Sequence, residues 1–159
     1  MTNKNKTVWS NRFKSTTSKS FQRIGSSINI DKRLYEQDIF ASKIHTQMLI
    51  KKKIIPGKEG KKILKGLDKI QGEIKKGKFK FKEKFEDIHL NIEKKLYEIV
   101  GNSAGYMHTA RSRNDQVVTD FRIWIRESID QINKELKLLK QTFVELAEKN
   151  SEAIFPGYT

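Results

Sequence analysis

Two arginines two residues apart, at the mouth of a long apolar-striped segment, are the residues in this sequence best suited to chemistry. Residues 108–116 read His-Thr-Ala-Arg-Ser-Arg-Asn-Asp-Gln, and four of the seven Arg fall between 111 and 126. A helix start offers unpaired backbone N–H groups and a partial positive charge. Arg111, Ser112, Arg113 and Asn114 would add two guanidinium groups, a hydroxyl and an amide at that point. Together they make an anion cradle, with carboxylate as its natural guest, because Arg binds carboxylate through two parallel hydrogen bonds. Ordinary capping by Ser112 or Asn114 beside solvated Arg explains the same residues. Spacing alone leaves both readings open.

A second constellation is Glu-Asp-Ile-His-Leu-Asn-Ile-Glu at 86–93. An acid–His pair can fix a tautomer or move a pKa. Asp87 and His89 are two apart, so on one helix they point to different sides and do not pair directly. The string is not His-Glu-x-x-His, and the chain has no Cys, so no metal site, thiol chemistry or disulfide is expected. Asp87 suits a helix N-cap on a solvated surface. A third group is Ser27, Asp31 and Asp38 within 26–42, where capping of the following helix by Asp31 is the simpler reading.

The elements that must position these groups are helical. Residues 1–26 read as an extended, Ser/Thr/Asn/Lys-rich arm with Val8, Trp9, Phe13 and Phe21 as apolar anchors. A helix is expected over 32–53, with Leu34, Ala41, Ile44, Met48 and Leu49 as its stripe and Pro56-Gly57 as its stop. Ile63, Leu67, Ile70 and Ile74 mark an amphipathic helix over 59–76, weakened by Gly66 and Gly72, with Gly77 as a left-handed cap. Residues 78–85 alternate Lys and Phe, as a short strand or a Phe-anchored loop would. Ile88, Ile92, Leu96 and Ile99 form the core face of a helix over 86–100 that Gly101 ends, and a polar loop follows. From 114 to 150 apolar residues keep three- and four-residue spacing with no Gly or Pro. Such a helix would run roughly 55 Å and needs long partners, from other subunits or from further chain.

Composition bounds the rest. The 159 residues carry a net charge of +14, from 33 basic and 19 acidic side chains. Residues 51–84 hold 14 Lys, no Arg and four acids, so most of the surplus is one Lys-coated stretch. Base readout favours Arg and amides, and single-strand binding favours aromatic platforms. The stretch therefore reads as solvated helix faces. A basic helical protein that binds nucleic acid or a partner is the alternative. The N-terminal stretch has no signal-peptide apolar core and there is no long apolar run, so no membrane span is expected and a cytoplasmic location is the default.

Three stretches together resemble a known family. Residues 27–39 (SINIDKRLYEQDI), 86–93 (EDIHLNIE) and 108–120 (HTARSRNDQVVTD) are similar, in order and separation, to N-terminal blocks of argininosuccinate lyase. Trp9 and Arg12-Phe13 resemble its early Trp-Gly-Gly-Arg-Phe, with Ser10-Asn11 replacing the two glycines. The terminal Pro-Gly-Tyr-Thr resembles the opening of a further block that continues with His-Leu-Gln. Sister lyases of the superfamily (fumarase, aspartase, adenylosuccinate lyase) share the architecture and do not usually share these strings.

The resemblance implies a mainly α fold. An arm and helices over 1–113 form an N-terminal lyase domain, and 114–159 begin the long helix of a central helical bundle. It implies cleavage of argininosuccinate to arginine and fumarate in arginine biosynthesis, with no cofactor and no metal, by a homotetramer whose sites draw on several subunits. Ser27, Asn114 and Thr159 match substrate-binding positions; Arg111, Ser112 and Arg113 match the loop that holds substrate carboxylates. Asp31, Asp87 and His89 match supporting positions. The family's catalytic histidine would follow Thr159 and its catalytic serine would lie far downstream. The chain is thus expected to carry pieces of sites and to be inactive alone.

Overall fold

The computed structural model describes residues 18–154, 156 and 157. The expectations for Val8, Trp9, Arg12, Phe13 and Thr159 lie outside the described residues. The helices are α1 (Lys19–Gly25), α2 (Ile28–Asp31), α3 (Tyr35–Lys51), α4 (Gly57–Lys75), α5 (Ile88–Val100) and α6 (Arg113–Lys149). Turns of 3-10 helix occupy Lys32–Leu34, Glu83–Phe85 and Gly101–His108. Among the described residues there is no strand, so the fold is mainly α and residues 78–85 take the loop alternative. No described helix is long and apolar enough to cross a membrane. The chain divides into two compact units, Met1–Phe121 and Arg122–Thr159.

The core of the first unit is the one that helical spacing predicts. Ile63, Leu67 and Ile70 of α4 and Ile88, Ile92 and Leu96 of α5 are all fully buried. Ile28, Ile39, Ala104 and Met107 join them, and Phe79 and Phe81 pack on the edge with ring centroids 4.9 Å apart. Each fully buried Ile or Leu contributes roughly 1.5–3 kcal/mol relative to exposure. Gly101 (φ 62°) ends α5, and Gly77 (φ 66°) follows α4 in the left-handed conformation its position predicted. Several α4 lysines have acidic partners: Lys62 pairs with Glu59 and Lys75 with Glu36, while α3 Lys43 reaches α4 Asp68.

Gly66 has a packing reason that its helix-weakening effect conceals. A Cβ there would lie 2.5 Å from Leu96 Cδ1 and 3.0 Å from Val100 Cγ1, so α4 and α5 approach closely only because the side chain is missing. Leu96 is fully buried, so it cannot yield without displacing its neighbours. At Gly72 a Cβ would meet nothing within 4 Å. Overpacking costs about 1–3 kcal/mol, against a helix gain for Ala over Gly of about 1 kcal/mol. Urea denaturation of Gly66→Ala should therefore show net destabilisation of about 1 kcal/mol, and Gly72→Ala stabilisation of up to about 1 kcal/mol. Equal shifts for the two would contradict the close approach.

Four local expectations are corrected. Residues 19–25 are helical, not an extended arm; Ser18 caps them by accepting from the Phe21 N–H at 3.2 Å, and Phe21 is exposed, not an anchor. Asp31 does not cap the helix that follows it: the chain is already helical at 28–31, and the Asp31 carboxylate accepts instead from the Ile88 N–H of α5 at 3.1 Å. The stripe assigned to α3 holds only in part: Leu34 and Leu49 are buried and Ala41 is partly so. Ile44 and Met48 are exposed, whereas Gln37, Asp38, Ser42 and Thr46 are buried with Ile39 and Leu49. Polar groups can take an inward face where other elements supply hydrogen-bond partners. Finally, much of the expected polar loop is the 3-10 segment Gly101–His108, pinned by buried Ala104 and Met107.

The second unit is the remainder of α6 and the segment after it. Ile129, Ile132, Leu136, Leu139, Phe143 and Leu146 are each about half exposed or more, and no Gly or Pro interrupts the helix.

Candidate functional site

The start of α6 is the best-organised polar site in the first unit. Ser112 caps it: the Asn114 N–H donates to Ser112 Oγ at 3.2 Å. Arg113, the first helical residue, donates from Nη1 to Gln116 Oε1 at 3.2 Å and places Nη2 3.5 Å from Asp87 Oδ1. A guanidinium has five N–H donors, so donor capacity remains for a ligand. Asn114 is exposed beside it. Arg111 does not join this pair: its Nη1 donates to the buried Ser42 Oγ of α3 at 3.0 Å, which anchors the preceding loop. Ala110 (φ 55°) turns that loop in the left-handed region, a strained choice for a residue with a Cβ.

Asp87 is held from its own side. It caps α5 by accepting from the Leu90 N–H at 2.7 Å, as its position predicted. Buried Asn91 ties the approach to it, accepting from the Lys82 N–H at 2.8 Å and donating to the Lys82 and Asp87 carbonyls. Ser27 donates to Asp31 Oδ2 at 2.5 Å, while the Glu86 carbonyl accepts from the Ser27 and Ile28 N–H groups at 2.8 and 3.0 Å. Ser27, Asp31, Asp87 and Arg113 thus follow one another along a connected polar line. Burial, partly opposed by the Ser27 hydrogen bond, holds the Asp31 carboxyl above its usual range.

Behind Arg113 lies a buried cluster. His89 Nδ1 is 3.0 Å from Asp38 Oδ1 and 3.4 Å from Asp120 Oδ2, and all three residues are at most 2% exposed. Gln116 Nε2 donates to Asp38 Oδ1 at 2.5 Å. Burial opposes ionisation of Asp38, but the hydrogen bond and charge of His89 outweigh it and hold the carboxyl low. The imidazole is raised in turn: burial disfavours its charge, and Asp38 more than restores it. Burial and the neighbouring Asp38 push Asp120 up to about 8. The cluster therefore favours an ionised Asp38, an imidazole at His89 that takes a proton more readily than a free one, and a protonated Asp120 at neutral pH. Both Asp120 oxygens and Asp38 Oδ2 otherwise find no hydrogen-bond partner, and a proton held between the two carboxyls pairs one oxygen of each. The donor atoms lie within 4.8 Å of one another, a spacing a metal ion accepts. Two N–H groups already aim at Asp38, and Arg111 adds positive charge near Asp120, so this donor set suits a proton better than a cation.

A family model described as Lyase matches residues 11–159. The chain belongs to the lyase family. It is 50% identical over 155 residues to an argininosuccinate lyase of Pelagibacter ubique (strain HTCC1062), an alignment that covers 98% of this chain and 34% of that protein. The argininosuccinate lyase of Ehrlichia canis (strain Jake) is 48% identical over 152 residues, 96% of this chain and 32% of that protein. That of Ehrlichia ruminantium (strain Welgevonden) is 44% identical over the same length, with 33% of that protein covered. The chain spans about a third of the length of these curated relatives.

In this lyase-family chain, sequence reasoning had named His89 and Asp87, and Asp38 only as part of a helix start. It missed Gln116 and Asp120. A signal was available: Asp38, Ser42 and Thr46 recur at steps of four, and Gln116 and Asp120 are also four apart. Such spacing gives one polar face per helix. Three polar faces turned toward one another, from α3, α5 and α6, are what the cluster consists of.

Proposed function

We propose that the full-length protein carrying this sequence is an argininosuccinate lyase of arginine biosynthesis, and that this chain supplies the part of each site that grips a substrate carboxylate. The observation that carries the reading is Arg113, fixed at the start of α6 by Gln116 and Asp87, within a chain 50% identical to one such enzyme over 98% of its length. In the reaction a base takes a proton from the carbon beside a carboxylate. The C–H pair becomes the new C=C bond of fumarate as the C–N bond breaks, and the departing guanidino nitrogen of arginine receives a proton. Negative charge collects on the flanking carboxylate during this step, so fixed cationic donors there lower the barrier.

Arg113 and Asn114 are the donors we assign to that carboxylate, with the backbone N–H groups of the first turn of α6 behind them. Ser112 shapes the turn, and Arg111 holds the loop that presents it. Ser27 and Thr159 complete the substrate-binding set; Asp31, Asp87 and His89 support it. We place the domain boundary at 113/114 and the exposed apolar residues of α6 in a bundle of like subunits forming a homotetramer. The residues that transfer protons lie outside this set, so the 159-residue chain alone is expected to be inactive. Incubating the full-length protein with argininosuccinate should raise the ultraviolet absorbance of fumarate and release arginine in equal amount. A full-length, folded protein that leaves argininosuccinate intact would overturn the assignment.

A further inference from the structure

The reading above gives Arg113 a task and does not explain what fixes its direction. Arg113 has two protein partners of different character. Asp87 is a partly exposed carboxylate that caps α5, at 3.5 Å. Gln116 is a fully buried amide one turn further along α6, at 3.2 Å. The second contact continues inward, because the same amide donates through Nε2 to Asp38, which in turn faces His89 Nδ1 at 3.0 Å.

We propose that Gln116 is a positioning residue for Arg113, and that buried Asp38 sets which way its amide faces. The orientation is determined at both ends by charge. Reversed, the amide would point its N–H groups at the guanidinium and its oxygen at the Asp38 carboxylate, two repulsive contacts at a fully buried side chain. As built, the oxygen faces the cation and the N–H faces the anion. An amide is also the side chain this task requires. Arg113 already faces one carboxylate, Asp87, and a second at 116 would leave less attraction for an anionic substrate. A neutral acceptor orients the guanidinium and adds no further negative charge. The length matters too: the Gln side chain reaches a guanidinium on its own helix at i−3 and a carboxylate on α3 at once.

The inference rests on the proposed lyase function and can fail separately from it. The test uses the full-length protein and two variants, Gln116→Met, which keeps the volume and removes both hydrogen bonds, and Gln116→Asn, which keeps the amide and falls one methylene short of spanning both partners. Steady-state kinetics with argininosuccinate and competition by fumarate are measured together with thermal melting. The proposal expects kcat/KM for argininosuccinate to fall by about tenfold or more in both variants, through a lower kcat as well as a higher KM, and the inhibition constant for fumarate to rise in parallel with KM. Melting should remain cooperative. A merely structural role predicts lower melting temperatures with kcat/KM unchanged, and that result would overturn the proposal, as would failure of both variants to fold. Should only Gln116→Met fail to fold, Gln116→Asn decides by the same kcat/KM criterion. If the parent itself does not turn over argininosuccinate, it is the functional assignment that falls. Parental turnover with unaltered kcat/KM in the folded variants rejects the positioning role alone.

Discussion

Arg113→Ala in the full-length protein is expected to lower kcat/KM for argininosuccinate by roughly 10²–10³, the loss typical of removing one preorganised donor to a developing anion. The guanidinium sits at the one point where three favourable features coincide. These are the start of a 37-residue helix, an adjacent exposed amide at Asn114, and two protein contacts that hold Nη1 and Nη2. Arg113→Lys should recover little, because an ammonium cannot make the paired, planar contacts of a guanidinium. Initial rates of fumarate formation over a range of substrate concentrations measure the effect. Wild-type kcat/KM in the Ala variant would remove the carboxylate grip from this end of α6. The fold should survive the change, since Arg113 is only partly buried and its contacts lie at the rim of the core.

The second large effect is on stability and comes from the cluster behind that rim. Asp38→Ala leaves the buried imidazole of His89 without its carboxylate partner and Gln116 without its acceptor. Breaking one side of a buried pair in this way costs about 3–5 kcal/mol. Asp120→Asn should raise stability at pH 7, because the amide resembles the protonated carboxyl and takes up no proton on folding. The pH dependence follows the same assignment. Folding raises Asp120 from 3.8 to about 8, so the folded state binds a proton the unfolded state has released. That contribution to stability is complete below the unfolded value and is lost as pH rises through the folded one. His89, also raised, acts in the same direction from its ordinary value of 6.5 upward. Asp38, lowered, acts in the opposite direction, and its contribution is lost only as the pH becomes acidic. The melting temperature should therefore fall as the pH rises from about 4 to about 8, and Asp120→Asn should flatten that slope. A slope unchanged by Asp120→Asn would mean that the proton resides elsewhere.

Hydrophobic periodicity made the frame of this molecule legible. The faces of α4 and α5 and the extent of α6 follow from apolar residues at steps of three and four, and the burial of Ile63, Leu67, Ile70, Ile88, Ile92 and Leu96 matches that pattern. α3 broke the rule for a physical reason. Its inward face carries Gln37, Asp38, Ser42 and Thr46; His89 of α5 and Gln116 of α6 meet Asp38, Arg111 of the loop before α6 meets Ser42, and Thr46 donates to the Ser42 carbonyl of its own helix. No scale that scores residues one at a time credits a partner supplied from 50 to 80 positions away. Asp31 shows the same limit on a smaller scale: its type marked a cap, and the helix it caps is α5 rather than its own successor. At the start of α6 the Ser112 cap was readable from type and place, whereas the inward turn of Arg111 to Ser42 was not. Long side chains choose among several partners that only the assembled fold supplies.

The most direct test is a structure of the full-length protein with fumarate bound. A carboxylate of the ligand should lie roughly 3 Å from the Arg113 guanidinium and from Asn114, at the N-terminal turn of α6, with Gln116 still bridging Arg113 and Asp38. Fumarate bound at a distance from that turn, with Arg113 engaged only by Asp87 and Gln116, would contradict the account.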